Sequence, residues 1–242
     1  MSTTRITPHI SSKFDQDLED IRGRVLTMGG LVHEHLGKAM EALSKGEAEL
    51  AEYVASNDFQ VDTLEMEIDE ECTQILVKRQ PAASDLRLVM AVTKTITDLE
   101  RIGDEVEKIG RLVWRSISED SPKSYYFSML TMAKDVQTML QRALDAFARM
   151  DSRAALETAT EDPKIDRQYD AILRQLITYM MEDPRSITRV LDVIWIVRAL
   201  ERIGDHTKNI CENVIYLVEG KDVRHLNIER MGESTAADLI NP

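Results

Sequence analysis

Apolar residues recur at every third or fourth position along almost the whole chain. Phe14, Leu18, Ile21, Val25, Met28, Val32, Leu36, Ala39 and Leu43 make one such stripe. This is the pattern of a helix that buries one face against its neighbours. Ser12 followed by Asp15 predicts a capping box at its start. Gly46 interrupts the pattern, and a second stripe runs through Leu50, Val54, Val61, Leu64, Ile68, Cys72 and Ile75. It should stop near Gln80, because Pro81 disfavours helical geometry in the residue before it. Ser84 is placed to cap a third helix with the stripe Val89, Val92, Ile96, Leu99, Ile102, Val106, Ile109 and Val113.

The plan then repeats. Residues 118–124 read Ser-Glu-Asp-Ser-Pro-Lys-Ser and predict an internal boundary. Beyond it, Met129, Ala133, Val136, Leu140, Ala143 and Phe147 form one stripe. Ile165, Ile172, Leu176 and Tyr179 form the next, starting or kinking at Asp162-Pro163. Val190, Val193, Val197, Leu200, Ile203, Ile210, Val214 and Leu217 form the last. The expected architecture is all-α, two tandem, pseudo-symmetric antiparallel three-helix bundles. The expected division is 1–120, 121–220 and a flexible tail, 221–242.

Composition agrees with helices. Hydrophobic residues make up 43% and aromatics only 5%, with ten Gly and six Pro in 242 residues, which disfavours a β fold and leaves enough apolar surface for a core. Lys and Arg number 30 against 43 Asp and Glu, a formal net charge of −13. Such a surface repels nucleic acid and anionic lipid and suits cations or basic partners. Cys72 and Cys211 lack metal-ligand or redox spacing and read as small buried apolar groups. The start of the chain has no apolar secretory core, and no apolar run is long enough to span a bilayer, so a cytoplasmic location is expected.

One motif conflicts with helix stability. The hexapeptide Leu99-Glu100-Arg101-Ile102-Gly103-Asp104 recurs, letter for letter, as Leu200-Glu201-Arg202-Ile203-Gly204-Asp205. Within each copy the two carboxylates are four residues apart on one face, a like-charge pair that costs ~0.2–0.5 kcal/mol. The interior glycine costs roughly 1 kcal/mol more relative to alanine. At 100° per residue the carboxylates flank the buried stripe rather than oppose it. A bound cation, a basic neighbouring helix or a close helix crossing at the glycine would each compensate. The preceding helix of each half carries a second acidic strip: Asp58, Asp62, Glu65 and Asp69, then Asp162, Asp166 and Asp170. Multi-carboxylate, oxygen-only sites suit Mg²⁺, Mn²⁺, Ca²⁺ or iron, whereas zinc favours His or Cys. Acidic pairs at this spacing are also common on solvated faces, and Lys108 is placed to pair with Asp104.

The stretch from Ser84 to Ile109, SDLRLVMAVTKTITDLERIGDEVEKI, closely resembles the PhoU family of bacterial phosphate-uptake regulators. Its second copy returns as LERIGDHTKNI, and the likeness runs from about Phe14 to Leu217. The resemblance implies two symmetric three-helix bundles and no catalysis. It implies a divalent or trivalent metal ion (Mg, Mn, Fe or Zn) held by carboxylates at Glu100/Asp104 and Glu201/Asp205. Asp62, Glu65, Asp69, Asp166 and Asp170 are the possible further ligands. It also implies a negative regulator of the phosphate-starvation response, often a homodimer. Such a regulator links the phosphate ABC transporter, through its ATP-binding subunit, to the sensor histidine kinase of the phosphate two-component system, and meets the membrane only through these partners. Glu65 aligns with Tyr169 and Asp69 with Leu173, so the two sites need not be equal.

Two other readings stay open. A carboxylate-bridged metalloenzyme is one, although no His stands three residues after a Glu as in di-iron bundles. A metal-free helical scaffold is the other.

Overall fold

The long stripes become long helices. The structure, a computed structural model, describes residues 12–118 and 126–223. The first helix, α1, spans Ser12–Lys45, and α4 spans Ala83–Ser118. In the second half their counterparts are α5, Phe127–Arg149, and α8, Ile187–Glu219. Every stripe residue from Leu18 to Ala39 on α1 is essentially inaccessible, as are Leu99 and Ile102 on α4 and Leu200 and Ile203 on α8. Among the described residues all regular elements are helical. None of these helices is long and apolar enough to cross a membrane.

The middle member of each trio is two helices rather than one. In the first half α2, Ala48–Ser56, gives way at Asn57 to α3, Phe59–Arg79. In the second, α6, Ser152–Ala159, gives way at Thr160 to α7, Asp162–Glu182, after which a 3₁₀ turn at Pro184–Ser186 leads into α8. Val54 and Val61, the buried residues on either side of the first break, are seven positions apart. That is two helical turns, so the apolar period passes through the break unchanged. Asp151 caps α6 by accepting a hydrogen bond from the Ala154 amide at 3.0 Å, and Gly46 turns the chain after α1 with a φ of 78°. α3 ends at Arg79, just before Pro81, while α4 starts at Ala83, one residue ahead of the expected Ser84 cap.

The halves join along their longest helices, α4 against α8, with α1 against α5 in support. Asp98 on α4 meets His206, Asn209 and Asn213; Glu105 meets Arg202; Arg115 meets Asp192. Rising numbers on α4 thus pair with falling numbers on α8, so the two run antiparallel and their hexapeptides lie beside each other at the crossing. One continuous apolar core underlies both halves. It includes the free cysteines Cys72 and Cys211, both buried.

Three expectations fall outside the described residues: the capping side chain of Ser12, the boundary stretch beyond Ser118, and the tail from residue 224 onward. Val223, just before that tail, is buried.

Candidate metal centres

Each hexapeptide glycine lies under the start of the neighbouring acidic helix. A Cβ on Gly103 would sit 2.8 Å from Asp58 Oδ1 and 3.1 Å from Val61 Cγ1. A Cβ on Gly204 would sit 3.3 Å from Ile165 Cγ2 and 3.8 Å from Asp162 Oδ1. The same trio, Asp-Val/Ile-Gly, therefore recurs in both halves. The glycine lets the first turn of α3, or of α7, approach the hexapeptide closely. This crossing is one of the three compensations that the sequence allowed, and it brings carboxylates of two helices together.

In the second half Asp162, Asp166 and Asp205 each offer an oxygen, and these oxygens lie within 4.8 Å of one another. Asp162 is only 3% exposed, and its Oδ1 has no hydrogen-bond partner. Glu201 Oε2 is likewise buried and unpartnered, while its Oε1 accepts from Arg198 at 2.6 Å. Buried carboxylate oxygens left without a donor are costly. Burial raises the pKa of Asp166, Glu201 and Asp205, and neighbouring aspartates push each of them further up. Besides Arg198 on Glu201, a second cationic side chain is built in: Lys208 Nζ donates to Asp162 Oδ2 at 2.8 Å. Asp170 lies farther out and is exposed, and its charge acts on Asp166.

In the first half Asp58 occupies the place of Asp162. Burial, followed by the charges of Asp62, Glu107, Asp104 and Glu100, pushes its carboxyl up to about 7. Burial and the charge of Asp104 raise Glu100, while burial and then Asp69 and Asp62 raise Glu65. Asp62 and Asp69 are exposed, with Asp69 at the edge of the group beside Glu65. The exposed Arg101 spans Glu100 and Asp104 at 3.4 and 3.5 Å. Lys108 turns away and donates to Glu105 at 2.6 Å, so it does not serve Asp104 as the spacing allowed.

The structure thus gathers Asp62, Glu65, Glu100 and Asp104 in one group and Asp166, Glu201 and Asp205 in another, with Asp69 and Asp170 peripheral. It adds Asp58 and Asp162, which the family-implied ligand set omits although both belong to the acidic strips. For Asp162 the usable signal was the helix start at Asp162-Pro163; the start of α3 beside Asp58 carries no such mark in the sequence. His206 is engaged across the seam, its Nδ1 3.0 Å from Asp98 Oδ1. Trp114 and Trp195 lie at the surface, 47% and 56% exposed. The donor set of both groups is entirely oxygen, which fits a hard or borderline cation better than zinc.

Comparison with known proteins supports the doubled plan. A family model, the PhoU domain, matches twice, over residues 25–113 and 129–214. The chain is 50% identical over 228 residues to the phosphate-specific transport system accessory protein PhoU homolog of Pseudomonas aeruginosa, covering 94% of each chain. The crystal structure of PhoU from Pseudomonas aeruginosa superposes with a TM-score of 0.83 at 50% identity, over 86% of this chain and all of that one. The phosphate transport system regulatory protein PhoU from Streptococcus pneumoniae does so with a TM-score of 0.80 at 31% identity, over 87% and 99%. These names describe an accessory and a regulator, not a catalyst. With both halves matched and the helical plan shared, the chain belongs to the PhoU family.

Proposed function

We propose that this protein is a non-catalytic regulator of phosphate transport that holds a divalent or trivalent cation at each of its two acidic centres. Family membership supports the regulatory role. The cation reading rests on one observation above the others: Asp162 has a buried Oδ1 that lacks a donor, and its carboxylate gathers with those of Asp166 and Asp205. Asp162, Asp166, Glu201 and Asp205 would hold a cation in the second half, and Asp58, Asp62, Glu100, Asp104 and Glu107 in the first. A cation there would neutralise like charges and tie the acidic helix of each half to its hexapeptide helix. Mg²⁺, Mn²⁺ and iron suit the donors best.

In this reading the long helices offer a broad cytoplasmic docking surface for two partners, and the protein acts as a homodimer. One partner is the ATP-binding subunit of the phosphate ABC transporter. The other is the sensor histidine kinase, which the protein would keep from activating starvation genes while phosphate is plentiful. Deleting the gene should release those genes in phosphate-rich medium, and continued repression would remove the regulatory reading. Elemental analysis of untagged protein, with and without Asp162→Ala and Asp205→Ala, tests the cation; equal metal content in both would remove it.

A further inference from the structure

The hexapeptides are identical, but the residue three positions after each is not. Glu107 follows Asp104, and Lys208 follows Asp205. The pseudo-symmetric positions therefore carry opposite charges. The Glu107 charge acts on Asp58, and the Lys208 ammonium is bound to Asp162 Oδ2 at 2.8 Å. The second centre holds Lys208 on its buried aspartate, besides Arg198 on Glu201. The first has a further carboxylate, Glu107, whose partner Arg111 stands 3.6 Å away and is 61% exposed.

We infer that Lys208 is a resident counter-charge that gathers the second centre without metal and must be displaced before a metal enters, so the first centre binds cations more tightly. The inference rests on reading both clusters as cation sites. Several features of this chain lead to it. Asp162 is almost wholly buried, and one of its oxygens is spent on the lysine while the other has no donor. A cation entering beside Oδ1 would find Lys208 on the same carboxylate, and like charges at that range repel. The lysine side chain is 34% exposed, so its head can leave for water while the stem stays packed. In the first half the basic groups beside the carboxylates, among the described contacts, are Arg101 on Glu100 and Asp104 and Arg111 on Glu107. Both are more than half exposed, at 56% and 61%, and in those contacts neither touches the half-buried Asp58. Affinity for hard cations rises with the number of charged oxygen ligands, which favours the half that has Glu107.

Metal-stripped full-length protein titrated with Mn²⁺ alone, with free Mn²⁺ followed by electron paramagnetic resonance, decides the matter. The wild type should bind in a tight and a weak step. Asp104→Asn should abolish the tight step and Asp205→Asn the weak one. Lys208→Met and Lys208→Gln should each strengthen the weak step by about tenfold and leave the tight step in place. Glu107→Lys should weaken the tight step by a similar factor. A weak step unmoved in both Lys208 variants, or a tight step that belongs to Asp205, overturns the inference while leaving the centres intact. No Mn²⁺ bound by the wild type or by either Lys208 variant removes the centres themselves, and the inference with them.

Discussion

Helix α4 carries carboxylates on two flanks, and the flanks lead different lives. Toward α8, Asp98 accepts from Asn209 at 3.0 Å and Asn213 at 3.3 Å and lies against His206. On the same seam Glu105 is paired with Arg202 at 2.8 Å and Lys108, and Asp192 receives both arms of the Arg115 guanidinium. Toward α3, Glu100, Asp104 and Glu107 meet other carboxylates, with Asp58 at the centre of the repulsion. Residues of one chemical type on one helix thus do opposite work. On the seam their charge is spent on fixing the two halves. On the α3 flank it is answered only by the exposed Arg101 and Arg111 among the described contacts, and the surplus negative charge around Asp58 is what a cation needs.

The sharpest way to break this comparison is to remove a seam acceptor. Asp98→Ala leaves His206, Asn209 and Asn213 without their common partner and should cost about 2–4 kcal/mol in thermal or urea unfolding. A loss under 0.5 kcal/mol would mean that the seam does not depend on its polar pairs.

The opposite flank should respond with the opposite sign. Asp58 binds its proton more tightly folded, near 7, than at its usual 3.8. Its penalty is therefore absent below about pH 4, grows as pH rises toward 7, and is complete above that. In chelator-treated protein, Asp58→Asn should raise stability at pH 8 by on the order of 2 kcal/mol and leave it unchanged at pH 4. Melting temperatures of both proteins across that range provide the check, and a variant less stable than wild type at pH 8 would contradict the account. Saturating Mn²⁺ should reverse the ranking.

A smaller effect separates the two glycines. Gly103→Ala must push Val61 and the Asp58 carboxylate aside, and should cost about 1 kcal/mol after the gain in helix propensity. Gly204→Ala meets only a 3.3 Å contact with Ile165 and should be close to neutral. Equal effects in chemical denaturation would show that the two crossings are equally tight. The smallest change is expected at Arg101, which is 56% exposed. Arg101→Ala should alter stability by less than ~0.5 kcal/mol, a shift readable only by careful denaturant titration.

Much of the fold was legible because burial imposes a period. The stripes on α1, α4 and α5 follow it without a gap, the one on α8 is interrupted only at the buried Thr207, and Gly46 and Pro81 punctuate it where the chain turns. The break at Asn57 was not legible, since seven residues from Val54 to Val61 keep the same helical phase on either side. That break is also why the family-implied ligands stop short of Asp58 and Asp162: only the start of a new helix lays them against a glycine. The duplicated hexapeptide pointed to the right segment, but not to which of its neighbours carried which charge. Whether an acidic residue is paired depends on the helix across from it, and Glu105 looks no different from Glu107 until α8 is in view.

The antiparallel seam has a historical reading. Two identical segments crossing about an approximate twofold axis is the contact that two copies of a half-length polypeptide make in an isologous dimer. Joining such copies into one gene product keeps the partnership at any dilution and releases each side from the obligation to mirror the other. A strictly symmetric ancestor could only have changed both faces at once. The fused chain can put glutamate on one face and lysine on the other, and still close the same interface.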